Sequence, residues 1–303
     1  MSTGKGYAKI ILFGDHFAIY GIPAIATAID KYVKIETEEI NEDDIIFDDR
    51  IFYEKISKKD EPYHISSRIF DAMFSNLNLN HVKFTVSGTA IPKIGMGYSA
   101  AFNVALARAV SEYLKLNWND QKINEISYKG ECVSHGNASG IDNACATYRS
   151  LLWFEKNKIM PFKIGAELKL VLCDSKISHN TKEIVTNVRR RAEENPDKFG
   201  KILIEAKKIV IEAKESLEEK DFKKVGILMN KNHKLLEQIG VSCLELEKLV
   251  DIALTNKALG AKITGAGGGG AVVMLCRDEE HQNFLAEKIE KENFKAMKVK
   301  LYR

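Results

Sequence analysis

Cysteine, proline and tryptophan are all scarce, at five, five and two among 303 residues. The cysteines Cys132, Cys145, Cys173, Cys243 and Cys276 are odd in number, scattered, and never in a Cys-x-x-Cys pair. That argues against a disulfide framework or a thiolate zinc site and predicts a reducing, cytoplasmic setting. No apolar run approaches the ~18 residues that span a bilayer, and no signal-peptide core precedes the first strand-like stretch, so no membrane partner is expected. An excess of one charge sign is also missing, since 45 basic residues face 42 acidic ones for a net charge of +3. Nucleic acid is therefore not an expected partner, and the run Arg189, Arg190, Arg191 reads as a solvated helix face. Internal repeats and low-complexity segments are absent. With 45% hydrophobic and 29% charged residues, the chain has the composition of a globular protein. Its length allows two cored domains or one large one.

The most informative stretch is residues 92–101, PKIGMGYSAA. Gly95 and Gly97 stand two apart, Ser99 follows, and the amphipathic segment 100–115 runs on behind. A glycine loop feeding a helix N-terminus presents unpaired N–H groups and the positive end of the helix dipole, which attract phosphate oxygens. The spacing is neither the Walker pattern nor the Rossmann fingerprint. Alone, it equally fits a glycine turn with Ser99 capping a core helix.

Residues 7–13 read as a buried strand with one polar intruder, Lys9, which needs an anionic partner or an edge position from which to reach water. Strands are expected near 24–28, 32–37, 82–87 and 150–155, and a peripheral hairpin within 41–60. Helices are expected over 65–76 and 119–134. Residues 135–143, HGNASGIDN, read as a structured loop presenting Asp142, and 157–165 as a domain boundary. A strand over 168–174 follows. The tract 182–257 reads as helices broken near Pro196, Asp221 and Gly240, with Thr181 as a candidate cap. The run 265–270, GAGGGG, leads straight into the apolar strand 271–276, so it reads as backbone brought close to a ligand rather than as linker. A helix over 279–292 and a strand over 295–301 close the chain.

A lysine within a strand, a glycine loop on a helix and a loop-borne aspartate are parts that phosphoryl transfer uses. Four stretches also resemble the motifs of the GHMP small-molecule kinases: 9–21 (KIILFGDHFAIYG), 92–101, 135–143 and 262–270 (KITGAGGGG). The first and third resemble the mevalonate kinase family in particular. The resemblance covers nearly the whole chain in the right order.

It implies an α+β fold, with an N-terminal ribosomal-S5-like α/β domain (1–160), a C-terminal ferredoxin-like domain (161–303), and the site in a cleft between them. It further implies ATP and Mg²⁺ as cofactors, a small alcohol such as mevalonate as substrate, and a homodimer as one admissible assembly. Residue by residue, Asp142 and Lys9 match the catalytic pair, and Ser99 and Glu131 the metal ligands. Pro92, Gly95, Gly97, Tyr98, Ser99, Ala100, Gly267 and Gly268 match the nucleotide site. His16, Thr181, Gly265 and Ala266 match the acceptor site. This sequence departs from the pattern at Asp15 (usually Glu), Lys93 (Gly), Tyr98 (Ser), Phe102 (Tyr), Ala138 (Pro) and Ala271 (Cys). Two alternatives stay open at this level. One is a sister kinase for another small or phosphorylated alcohol, for which Lys93 and Lys182 are candidate contacts. The other is a nucleotide-binding sensor without catalysis.

Overall fold

The computed structural model describes residues 1–301 apart from Asn137, Asn157, His179, Asn180 and the side chain of Lys182. The chain forms two compact units. The first comprises Met1–Lys9, Ala28–Pro92 and Gly97–Arg149, and the second Ile10–Thr27, Lys93–Met96 and Ser150–Arg303.

In the first unit, β1 (Ser2–Phe13) pairs with β2 (Ala24–Glu39), two strands that each run on into the second unit. β2 continues antiparallel to β5 (Val82–Gly88), and β5 runs parallel to β3 (Ile45–Asp49). β3 forms the expected hairpin with β4 (Glu54–Ser57). The helices are α1 (Ile65–Phe74), α2 (Tyr98–Tyr113), α3 (Asp120–His135) and α4 (Ile141–Tyr148). Phe47 and Phe84 stack within the core at 5.4 Å between ring centroids.

β1 is longer than its apolar stretch predicts, because Gly4 and Gly6 suit the helix beneath it. A Cβ on Gly4 would lie 1.9 Å from the Ala105 carbonyl oxygen, and one on Gly6 1.9 Å from that of Ala101. The alanine-rich face of α2 and these glycines let strand and helix approach at backbone distance. Asp142 is expected in a loop but stands in the first turn of α4, where Gly140 (φ 79°) turns the chain into a helix.

The second unit holds a 3-10 helix (Asp15–Tyr20) and the strands β6 (Leu151–Glu155) and β7 (Lys158–Phe162). Residues 24–27 of β2 pair with β6, which also pairs with β7, so the stretch expected as a domain boundary carries a strand. A four-stranded antiparallel sheet runs β11 (Lys295–Val299), β8 (Lys169–Asp174), β10 (Ala271–Cys276), β9 (Gly260–Thr264). β9 is not legible as a strand because lysine and threonine interrupt its apolar pattern, yet every residue in it is buried.

Helices α5 (Thr181–Glu194), α6 (Pro196–Glu218), α7 (Phe222–Gln238), α8 (Leu244–Thr255) and α9 (Glu279–Lys291) follow the expected breaks. Pro196 opens α6, a position that needs no N–H. Asp221 caps α7 by accepting from the Lys224 amide at 3.0 Å. Among the described residues no helix is long and apolar enough to cross a membrane.

Gly6→Ala is expected to destabilise the protein by about 1–3 kcal/mol in urea unfolding, because its methyl meets backbone rather than a movable side chain. A loss no larger than that of an exposed-strand control would show that β1 can lift off α2 freely.

Candidate active site

β1 carries Lys9 into the interior of the first unit, where it is 4% exposed. Such burial of an ammonium requires a counter-charge. α4 supplies it: Asp142 Oδ1 lies 3.0 Å from Lys9 Nζ. The helix N-terminus at which Asp142 stands favours an anion as well. Beneath the pair runs Gly97, the residue before α2, with φ 67°. A Cβ there would lie 3.0 Å from Lys9 Cγ, 3.1 Å from Lys9 Cε and 3.4 Å from Asp142 Oδ2. Gly97 thus serves both a left-handed turn and a close approach.

In the first turn of α2, Ser99 Oγ donates to Glu131 Oε1 at 3.1 Å, and one turn further on Asn103 Nδ2 donates to Oε2 at 3.1 Å. His135 Nε2 stands 3.0 Å from Ser99 Oγ and 3.5 Å from Glu131 Oε1. Glu131 is 3% exposed. Burial, then the neighbouring Asp142 charge, push its carboxyl up to about 7, against the opposing pull of Ser99, Lys9 and Asn103. The Glu131 carboxyl, the Ser99 hydroxyl and the Asp142 carboxylate nearby are oxygen groups of the kind a hard divalent cation takes, with the His135 ring beside them.

Asn103 and His135 were missed by sequence reasoning. Asn103 had a signal, being the one amide in an otherwise small-apolar stretch of helix, one turn after Ser99. Tyr98, the bulky departure in the glycine loop, turns its ring toward the β3–β4 hairpin. It meets Phe52 edge-on at 5.6 Å between centroids. Its hydroxyl is buried with no hydrogen-bond partner among the described residues. Burial, together with the Asp49 and Glu54 charges, makes that phenol harder to ionise. Pro92 is half-buried and Ala100 buried.

In the second unit, His16 is 2% exposed, and burial lowers its imidazole to about 4, with the Ala266 backbone acting in the opposite direction. The glycine stretches meet here: a Cβ on Gly95 would lie 3.4 Å from the Thr264 carbonyl oxygen, and one on Gly265 3.8 Å from that of Gly95. Gly267 and Gly268 lean on Val241. A Cβ on Gly267 would lie 2.2 Å from the Val241 carbonyl oxygen, to which the Gly268 amide donates at 2.7 Å. Thr181 opens α5 and is exposed, while His179 and Asn180 before it lie outside the described residues. Lys93 is exposed, with φ 66°, and the Lys182 side chain lies outside the description. Another lysine–aspartate pair, Lys262 with Asp15, has both side chains wholly enclosed at 2.7 Å and was not anticipated.

Residues 64–150 match the family description "GHMP kinases N terminal domain", and residues 213–296 match "GHMP kinases C terminal". Mevalonate kinase of Thermococcus gammatolerans is 38% identical over 298 residues, spanning 91% of this chain and 89% of that protein. The chain belongs to the GHMP kinases, on their mevalonate kinase branch. Two solved structures agree. L. major mevalonate kinase in complex with R-mevalonate superposes with a TM-score of 0.90 at 29% identity, covering 99% of this chain and 96% of that one. The Methanococcus jannaschii mevalonate kinase gives 0.89 at 27% identity, covering 99% and 98%. The fold is therefore the GHMP kinase fold, of the α+β class expected, and membership implies ATP as phosphoryl donor.

Glu131 supplies a pH test. A carboxyl whose folded pKa of about 7 stands above its ordinary value of 4.5 favours folding only while it is protonated. Its contribution is complete below the ordinary value and lost as pH rises through the folded one. The unfolding free energy of Glu131→Gln, relative to the parent, should therefore increase by about 3 kcal/mol between about pH 4.5 and about pH 8 in urea titrations. A difference that stays flat across that range would contradict the raised pKa.

Proposed function

We propose that this chain transfers the γ-phosphoryl group of ATP to the 5-hydroxyl of mevalonate. The observation that carries the reading is the Lys9–Asp142 pair at 3.0 Å, seated over Gly97 at the head of α2. It puts a carboxylate, an ammonium and helix N–H groups within one site, which is what in-line phosphoryl transfer needs. Asp142 accepts the hydrogen bond of the acceptor hydroxyl, aims its oxygen at the phosphorus, and takes the proton as the P–O bond forms. Lys9 steadies Asp142 and lays positive charge beside the phosphoryl oxygens. The α2 N-terminus with Gly95, Gly97, Tyr98, Ser99 and Ala100 holds the phosphates through backbone N–H groups. Ser99 and Glu131 would hold Mg²⁺, which would supply charge neutralisation on the phosphate oxygens.

His16, Thr181, Gly265 and Ala266 hold the acceptor. A His16 imidazole lowered to about 4 is neutral near pH 7. It offers a hydrogen bond but no charge, which suits an unphosphorylated alcohol better than a phosphorylated one. Residues 1–160 act as the nucleotide-side domain and 161–303 as the second domain. A cytoplasmic setting accords with five cysteines of which none is in a disulfide.

Purified protein given Mg·ATP and mevalonate should release ADP in a coupled assay. Asp142→Asn should lower kcat by roughly 10²–10⁴-fold, with the far-ultraviolet circular dichroism of the parent. ATP binding without turnover by the parent protein would instead identify a nucleotide sensor.

A further inference from the structure

The enclosed pair in the second unit has no place in the chemistry above. Asp15 and Lys262 side chains are both 0% exposed, with Asp15 Oδ2 2.7 Å from Lys262 Nζ. Removing two charges from water this completely is a poor way to gain stability, since an apolar pair of the same volume usually does as well or better. A pair of this kind therefore calls for another use, and its remaining contacts indicate one. Asp15 Oδ1 accepts from the Gly265 amide at 3.3 Å, and Oδ2 accepts from Asn232 Nδ2 at 3.3 Å. Lys262 Nζ donates to the Ile11 carbonyl at 3.4 Å and to that of Ile263. Thr264 Oγ1 donates to the Ile11 carbonyl at 3.1 Å and accepts from its amide at 2.9 Å. The ends of β1 and β9 are thus laced by side chains.

Backbone strain marks the same place. Asp15 sits at φ 31°, a left-handed value that a non-glycine residue adopts only under constraint, directly after Gly14 at φ 96°. Both strands then deliver a residue of the acceptor site: β1 leads through Asp15 to His16, and β9 leads through Thr264 to Gly265 and Ala266. The charge on Lys262 holds the Asp15 carboxylate. That carboxylate in turn fixes the Gly265 amide and the turn from which His16 projects.

We infer that Asp15 and Lys262 are positioning residues that set where His16 and the Gly265–Ala266 peptide stand toward the acceptor. What those placed groups do rests on the function proposed above; the placement itself does not.

The test compares Lys262→Met, Asp15→Asn and the double variant by steady-state kinetics, thermal midpoint and amide hydrogen exchange. Each single variant should raise the acceptor KM at least roughly tenfold, with the ATP KM within about twofold of the parent. Exchange at the Gly265 and Ala266 amides should quicken by roughly tenfold while α9 keeps its protection. The double variant buries no unpaired charge, so its thermal midpoint should return toward the parent while its acceptor KM stays raised. An acceptor KM that recovers together with the midpoint would reduce the pair to a structural one and overturn the inference. So would unchanged exchange at Gly265 and Ala266, or an ATP KM that rises as far as the acceptor KM. If the parent itself turns over no mevalonate, the proposed function fails, and the exchange measurement still decides the placement.

Discussion

An ammonium group inside a β-strand cannot be left without a counter-charge, and the site of the first unit follows from that constraint. Lys9 lies too deep to reach water, so α4 must begin where Asp142 can meet it, and Gly97 must lack a side chain where the two pass. Depth comes from the backbone-level contact of Gly4 and Gly6 with α2. The alanines of that helix, unremarkable as core residues, thereby help to set the height of the charged pair at its N-terminal end.

The Lys9–Asp142 and Lys262–Asp15 pairs differ in a way that fits separate roles. The Asp142 side chain keeps 32% of its exposure, so one carboxylate oxygen can meet a ligand. The Asp15–Lys262 pair keeps none and presents only what it holds in place. Breaking a buried pair on one side costs about 3–5 kcal/mol in general, because an uncompensated charge is left behind. That cost falls on the Asp15–Lys262 pair, whereas solvent at Asp142 softens it for the other.

Much of this was legible in the sequence, and the limits have physical causes. Lys9 announced itself as a charge within an apolar strand, and Gly95 and Gly97 as a turn running straight into the helix that is α2. The helix breaks at Pro196 and Asp221 were visible because proline geometry and capping act locally. β9 was hidden because its pattern is broken by Lys262, whose charge is answered by Asp15, far away in the chain. Periodicity carries no information about such a pairing. Asp142 on a helix was hidden for the opposite reason: Gly136 and Gly140, which read as loop, only cap α3 and α4. The resemblance to the GHMP kinases offered candidate residues for the reaction but neither Asn103 and His135 nor the Asp15–Lys262 pairing.

The half-way acidity of Glu131 has a consequence for the seam between α2 and α3. Near neutrality this side chain carries a proton in part of the population, so the clasp it makes with Ser99 and Asn103 exists in two electrical states. That seam is thereby tuned by solvent acidity, although almost no water reaches it.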